Sequence, residues 1–184
     1  AVDMDKKEGQ RNRAILETLY SCGLRVSELC NLKLSDLYFE EGFIKVEGKG
    51  SKQRLVPISP RAIKEIKYWL TDRNLGKIKK GYEDYVFLAR WGNNISRIMV
   101  FHMIKELAEK TGITKNISPH TFRHSFATHL LEGGANLRAI QCMLGHESIA
   151  TTEIYTHIDR NMLRSEIIEH HPRNIKYRKE RGIY

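Results

Sequence analysis

Four short segments of the chain carry side chains suited to work on a phosphate group. In Cys22-Gly23-Leu24-Arg25-Val26-Ser27-Glu28 an arginine follows a glycine break, near the start of a helix. Backbone N–H groups and the helix dipole favour anions at such a place. In Gly48-Lys49-Gly50-Ser51-Lys52 the glycines let backbone come close to a phosphate, and Lys49 is a mobile proton donor or point charge. In His120-Thr121-Phe122-Arg123-His124, His120 and Arg123 lie three apart and share one face of a helix. An imidazole and a guanidinium aimed at one point suit phosphate chemistry. In Leu144-Gly145-His146 a histidine follows a glycine at a helix end, and Tyr155 stands nine positions further on. A phenol with a pKa of about 10 attacks at neutral pH only beside a base or in a strong positive field.

Taken singly, each segment has a plainer reading: a surface arginine, a solvated turn, core or surface histidines, a packing tyrosine. Two other chemistries fit poorly. The GxxxxGK[ST] order of a nucleotide-binding loop is absent around Lys49. His120 and His124 have an H-x3-H spacing, but no glutamate between them and no CxxC partner, which argues against zinc.

The elements that must position these residues read as mainly helical. Ile15, Leu16 and Leu19 define a helix over 13–20, ended by Gly23, and a short helix follows to about Asn31. Alternation over 43–46 and 54–58, around the 48–51 turn, predicts a β-hairpin. Ser59-Pro60 predicts a helix start, running to about Thr71, with an exposed loop over 72–83 and a third strand over 84–88. An amphipathic helix is expected over 96–111, its apolar stripe including Ile98, Phe101, Ile104, Leu107 and Ala108. Ser118-Pro119 opens a helix to Leu131, and further helices are expected over 136–144, 148–156 and 160–169. The basic stretch 173–184 reads as a mobile tail. The fold class is therefore α+β, mainly helical, with a small three-stranded antiparallel sheet.

The 184 residues fit one domain, and the formal charge of +9 favours polyanions through counterion release. No apolar run approaches the length of a membrane span, and residues 1–12 do not read as a signal peptide. The three cysteines, Cys22, Cys30 and Cys142, form no CxxC pair, which points to a reducing compartment and so to the cytoplasm.

Together and in this order, the strings Gly23-Leu24-Arg25-Val26-Ser27-Glu28-Leu29, Gly48-Lys49-Gly50, His120-Thr121-Phe122-Arg123-His124, Leu144-Gly145-His146 and Tyr155-Thr156-His157 resemble the tyrosine recombinase (lambda integrase-like) family, and its Xer-type members most. His170-His171-Pro172-Arg173 is also similar to the Xer subgroup. The resemblance runs from about Arg11 to Arg173 and departs from the pattern at no catalytic position. It implies a site-specific recombinase catalytic core that cleaves and rejoins double-stranded DNA through a 3′-phosphotyrosyl bond. By this resemblance Arg25, Arg123 and His146 would hold the scissile phosphate and Lys49 would protonate the leaving 5′ oxygen. His120 would assist proton transfer at the nucleophile Tyr155, and Glu28 would support Arg25. Lys52 and Arg54 are expected to contact DNA. No metal and no cofactor are required.

Residues 1–173 would form the catalytic domain and 174–184 a basic tail. The family's separate N-terminal core-binding (SAM-like) domain is expected to be absent from this chain. Assembly on DNA as a homo- or hetero-tetramer would use the C-terminal helix, with Leu163, Ile167 and Ile168 available for docking on a neighbour. The expected location is the cytoplasm, associated with the nucleoid. A type IB topoisomerase and a non-catalytic DNA-binding module are the alternatives.

Overall fold

The computed structural model describes residues 2–145 and 160–182. Two helices open the chain, α1 (Gly9–Cys22) and α2 (Val26–Cys30). Gly23 ends α1 with a left-handed backbone, φ 62°, and a Cβ there would fall 2.4 Å from the Phe126 ring. Glycine is thus required both by conformation and by space.

Strands β1 (Leu37–Tyr38), β2 (Phe43–Glu47) and β3 (Gln53–Pro57) form an antiparallel sheet in the order β1-β2-β3. Ile44 pairs with Val56 and Val46 with Arg54. The period of two gives the sheet two faces. Ile44, Val46 and Val56 join the larger core with α1, α2 and the helices described next. Phe43 joins a second core, against which Leu55 packs.

Helix α3 (Pro60–Leu75) starts as expected: the Ser59 hydroxyl accepts from the Ala62 N–H at 3.1 Å and Pro60 takes the first turn. It runs four residues beyond Thr71, taking in the start of the expected 72–83 loop. It packs antiparallel on α1 through Ile15, Leu19, Ala62 and Ile66, edged by Gln10–Glu65 and Ser21–Ser59 hydrogen bonds.

The third strand differs from expectation. Residues 84–88 make only isolated bridges, from Tyr85 to Lys33 and from Leu88 to Asn94. Their backbone is satisfied otherwise. Trp69 Nε1 donates to the Val86 carbonyl at 2.8 Å and Arg73 Nε to the Tyr85 carbonyl at 2.9 Å. Backbone bonds to residues 32–34 and 95 complete the pairing without a regular ladder, and β1 supplies the third strand instead.

Helix α4 (Arg97–Lys110) begins at its Ser96 cap, but its buried face is Val100, Met103, Ile104 and Ala108. Ile98 and Phe101, expected inside, are 69% and 44% exposed. The apolar residues permit two overlapping stripes, and packing against the core selects one.

Helices α5 (Pro119–Glu132), α6 (Leu137–Leu144) and α7 (Arg160–His170) surround the second core, built from Phe126, Leu130, Ile140, Met143, Leu163 and Ile167. Leu163 and Ile167, expected to dock on a neighbour, therefore fill this chain's own core, and Ile168 is half-buried. The short helix expected over 148–156 lies outside the described residues.

The stretch expected as a mobile tail is largely helix α8 (Pro172–Glu180). Its residues have little apolar character, so tertiary contacts hold it rather than intrinsic helicity. Asn174 is buried and donates to the Ile167 carbonyl at 3.0 Å, and Arg173 pairs with buried Glu17.

His171 caps this helix and is fully buried. Its Nδ1 accepts from the Arg173 N–H at 3.3 Å, and its Nε2 lies 3.2 Å from the Tyr20 carbonyl, which needs a donor. Only the neutral ring meets both demands. Burial, above all, pushes its pKa down to about 4, with His129 and Arg173 adding to the effect and the Tyr20 bond opposing it. A folded value below the unfolded value of about 6.5 gives stability that is complete above that pH and lost as pH falls toward 4. The urea midpoint should therefore drop between about pH 6.5 and pH 4, and the His171 ring should show no NMR titration above about pH 5. A ring that titrates near its ordinary value would overturn this.

Candidate active site

Arg25 closes the gap between α1 and α2 and caps α2. Glu28, at the third position of that helix, reaches back: its carboxylate accepts from the Arg25 backbone N–H at 2.9 Å and from its Nη1 at 3.1 Å. This is the reciprocal half of a capping box, and it fixes where the Arg25 side chain starts.

Arg54, expected as a DNA contact, lies inside instead. Its side chain is 7% exposed, against 42% for Arg25. It makes a bidentate pair with Glu28, Nη1–Oε1 at 2.6 Å and Nη2–Oε2 at 3.0 Å, and its Nε donates to the Met143 carbonyl at 2.8 Å. Burial opposes ionisation of Glu28, but the hydrogen bonds and charges of Arg54 and Arg25 outweigh it and hold the carboxyl below its usual range.

Arg123 stands on the first turns of α5, three residues after His120, so the two share a face. Its guanidinium joins two helix ends: Nη1 donates to the Gly23 carbonyl at 2.8 Å and Nη2 to the Leu144 carbonyl at 2.7 Å. Burial, with the charges of Arg25 and Arg54, pushes its pKa down to about 10, while Glu28 opposes. It remains a cation at neutral pH.

Arg25 and Arg123 are thus brought together around the Gly23 break. Arg25 and Arg54 both bond Glu28, Arg54 at two points, while Arg123 bonds only backbone carbonyls. A net positive field remains for an anion. Helix α6 ends at Gly145, φ 70°, in contact with Arg54. His146 follows directly in sequence; it and Tyr155 lie outside the described residues. His120 is exposed on α5. Lys49 is exposed on the tight turn between β2 and β3, where Gly50 has φ 72°. Lys52, on the same turn, is also exposed. Among the described residues no group of three His, Cys, Asp or Glu could hold a metal, and no helix is long and apolar enough to cross a membrane.

Sequence reading missed the internal role of Arg54. The signal was present: Arg54 alternates with Val56 and Ile58, so the strand period puts it on the core face, where a guanidinium requires a buried acid.

Residues 1–162 match the model of the phage integrase family. The chain is 50% identical over 163 residues to tyrosine recombinase XerD of Chlorobaculum tepidum, covering 89% of this chain and 54% of that protein. It is 46% identical over 171 residues to XerD of Staphylococcus saprophyticus, covering 93% and 58%. The chain therefore spans a little over half the length of these relatives. Among solved structures, XerA recombinase aligns with a TM-score of 0.70 at 37% identity, over 89% of this chain and 59% of that one. XerH bound to its difH substrate in a pre-cleavage complex aligns with a TM-score of 0.71 at 30% identity, over 91% and 48%.

Proposed function

The chain belongs to the phage integrase family, and we propose that it is the chemical part of a site-specific recombinase that cuts and rejoins DNA at Tyr155. The observation that carries this is the placing of Arg25 and Arg123 around the end of α1 at Gly23, with Glu28, the one carboxylate bonded to them among the described residues, held at two points by Arg54. Such a fixed double cation suits the charge of a pentacovalent phosphate.

In this reading Arg25, Arg123 and His146 hold the non-bridging oxygens. The Tyr155 oxygen attacks phosphorus, its proton leaving with help from His120, and a 3′-phosphotyrosyl ester forms. The P–O5′ bond breaks, and Lys49 protonates the departing oxygen. The reverse attack by a 5′-hydroxyl of another strand regenerates the diester. One phosphate ester replaces another at each step, so no high-energy cofactor is needed.

Residues 1–173 would be the catalytic unit, acting with an N-terminal domain that clamps DNA from the far side, in the cytoplasm at the nucleoid. Assembly as a tetramer on a specific site belongs to the same reading, with contacts other than Leu163 and Ile167. The recombinase relatives favour this over a topoisomerase.

The test uses the full-length protein and a nicked suicide DNA carrying its recombination site. Wild type should form a protease-sensitive covalent adduct, and Tyr155→Phe should form none. An adduct in the phenylalanine variant would remove Tyr155 as nucleophile.

A further inference from the structure

We infer that Arg54 is a positioning residue for this reaction, keeping Arg25 available to the phosphate and setting the end of α6 from which His146 follows. The inference rests on the function proposed above. Three observations on one side chain carry it.

The first is the sharing of Glu28. Its Oε1 lies 2.6 Å from Arg54 Nη1 and 3.1 Å from Arg25 Nη1. The shorter contact belongs to the buried arginine, and Oε2 is taken by Arg54 as well. A carboxylate so occupied holds Arg25 only loosely. Without Arg54, Glu28 would have Arg25 as its nearest cation and would draw that guanidinium into a two-point pair, away from a substrate anion.

The second is the bond from Arg54 Nε to the Met143 carbonyl at 2.8 Å. This carbonyl lies in the last turn of α6, where helical hydrogen bonding leaves acceptors unfilled. A single rigid fork thus connects the cap of α2 to the end of α6.

The third is the close seat of Gly145. A Cβ there would fall 3.1 Å from both Cδ and Nε of Arg54. The turn before His146 is built against the Arg54 side chain, with φ 70° at the glycine. Arg123 also bonds this turn, through the Leu144 carbonyl at 2.7 Å. Arg123 has donors left for a phosphate, whereas all three Arg54 nitrogens are used internally, which makes Arg54 the structural member of the pair.

The experiment compares wild type with Arg54→Lys in the full-length protein on the suicide DNA. Three quantities are measured: the single-turnover rate of adduct formation at saturating DNA, the Kd for uncleaved DNA, and the dependence of Kd on salt. Lysine reaches Glu28 but cannot hold it in two places and also bond Met143. The expected result is a rate lowered about 10- to 100-fold, with Kd within about twofold and an unchanged salt slope. A slope reduced by about one, with uniformly weaker binding, would instead make Arg54 a DNA contact and overturn the inference. So would a wild-type rate in the variant. If Arg54→Lys does not fold, the double variant Arg54→Met with Glu28→Met removes the buried pair without leaving a lone charge. With no carboxylate left to draw Arg25 away, it isolates the bond to Met143: it should bind DNA and cleave slowly because the end of α6 is no longer held, and full-rate cleavage by it would overturn that half of the inference. A wild-type protein that forms no adduct would sink the function itself, an outcome distinct from a variant matching an active wild type.

Discussion

Replacement of Arg123 by lysine is expected to slow formation of the Tyr155–DNA adduct by about 10²–10³-fold at saturating DNA, the usual cost of one lost transition-state donor. The charge is retained, so the loss comes from shape. Arg123 gives one N–H to the Gly23 carbonyl and another to the Leu144 carbonyl, and its planar fork still has donors left for a phosphate. A lysine ammonium is a single point with three donors and cannot serve two carbonyls and an anion in one plane. Because the native group keeps its proton well above neutral pH, even with its pKa lowered to about 10, the defect should persist across pH 6 to 8. The two carbonyl bonds also join the break after α1 to the end of α6, so stability should fall by about 1–3 kcal/mol. Single-turnover assays on suicide DNA, with binding measured separately, check this. An adduct rate within threefold of wild type would mean that charge alone suffices.

Much of the scaffold behind this site was legible because its punctuation is local. Gly23 and Gly145 end helices with left-handed backbones, and Ser59-Pro60 and Ser96 begin them, each through a bond within four residues. The hairpin was legible from its period of two. What escaped depends on distant partners. Residues 84–88 have strand-like composition, but Trp69 and Arg73 take the Val86 and Tyr85 carbonyls, which no local pattern reveals. Helix α8 reads as tail because its stability lies in His171, Asn174 and the Arg173–Glu17 pair, all reaching other helices. Of the candidate catalytic residues, the structure brings Arg25 and Arg123 together, from segments about a hundred positions apart that only the family resemblance linked. Arg54 was misplaced outside because its acid lies 26 positions earlier in the chain.

Glu28→Gln should be the most damaging single change to stability within this cluster, because the pair it breaks is buried. The amide keeps the shape of the carboxylate but carries no charge. Arg54, buried and paired among the described carboxylates with Glu28 alone, would be left as an uncompensated cation. Breaking such a pair from one side costs about 3–5 kcal/mol, which for a chain of this size lowers Tm by roughly 10 °C. The Arg25–Glu28 contact adds little to this, since Arg25 is largely solvated. The pH dependence identifies the cause. Glu28 has its folded pKa held below the unfolded value of about 4.3, so its stabilisation is complete above that value and lost as pH falls through the folded pKa. The gap between wild type and Glu28→Gln should therefore be widest near neutral pH and narrow below about pH 4, while the acid sensitivity from His171 is common to both and cancels. Urea denaturation of the two proteins at a series of pH values reads this directly. Equal stability at neutral pH would show that Arg54 finds another counter-charge when Glu28 is neutral, and the internal fork would lose its role in holding the α2 cap to the end of α6.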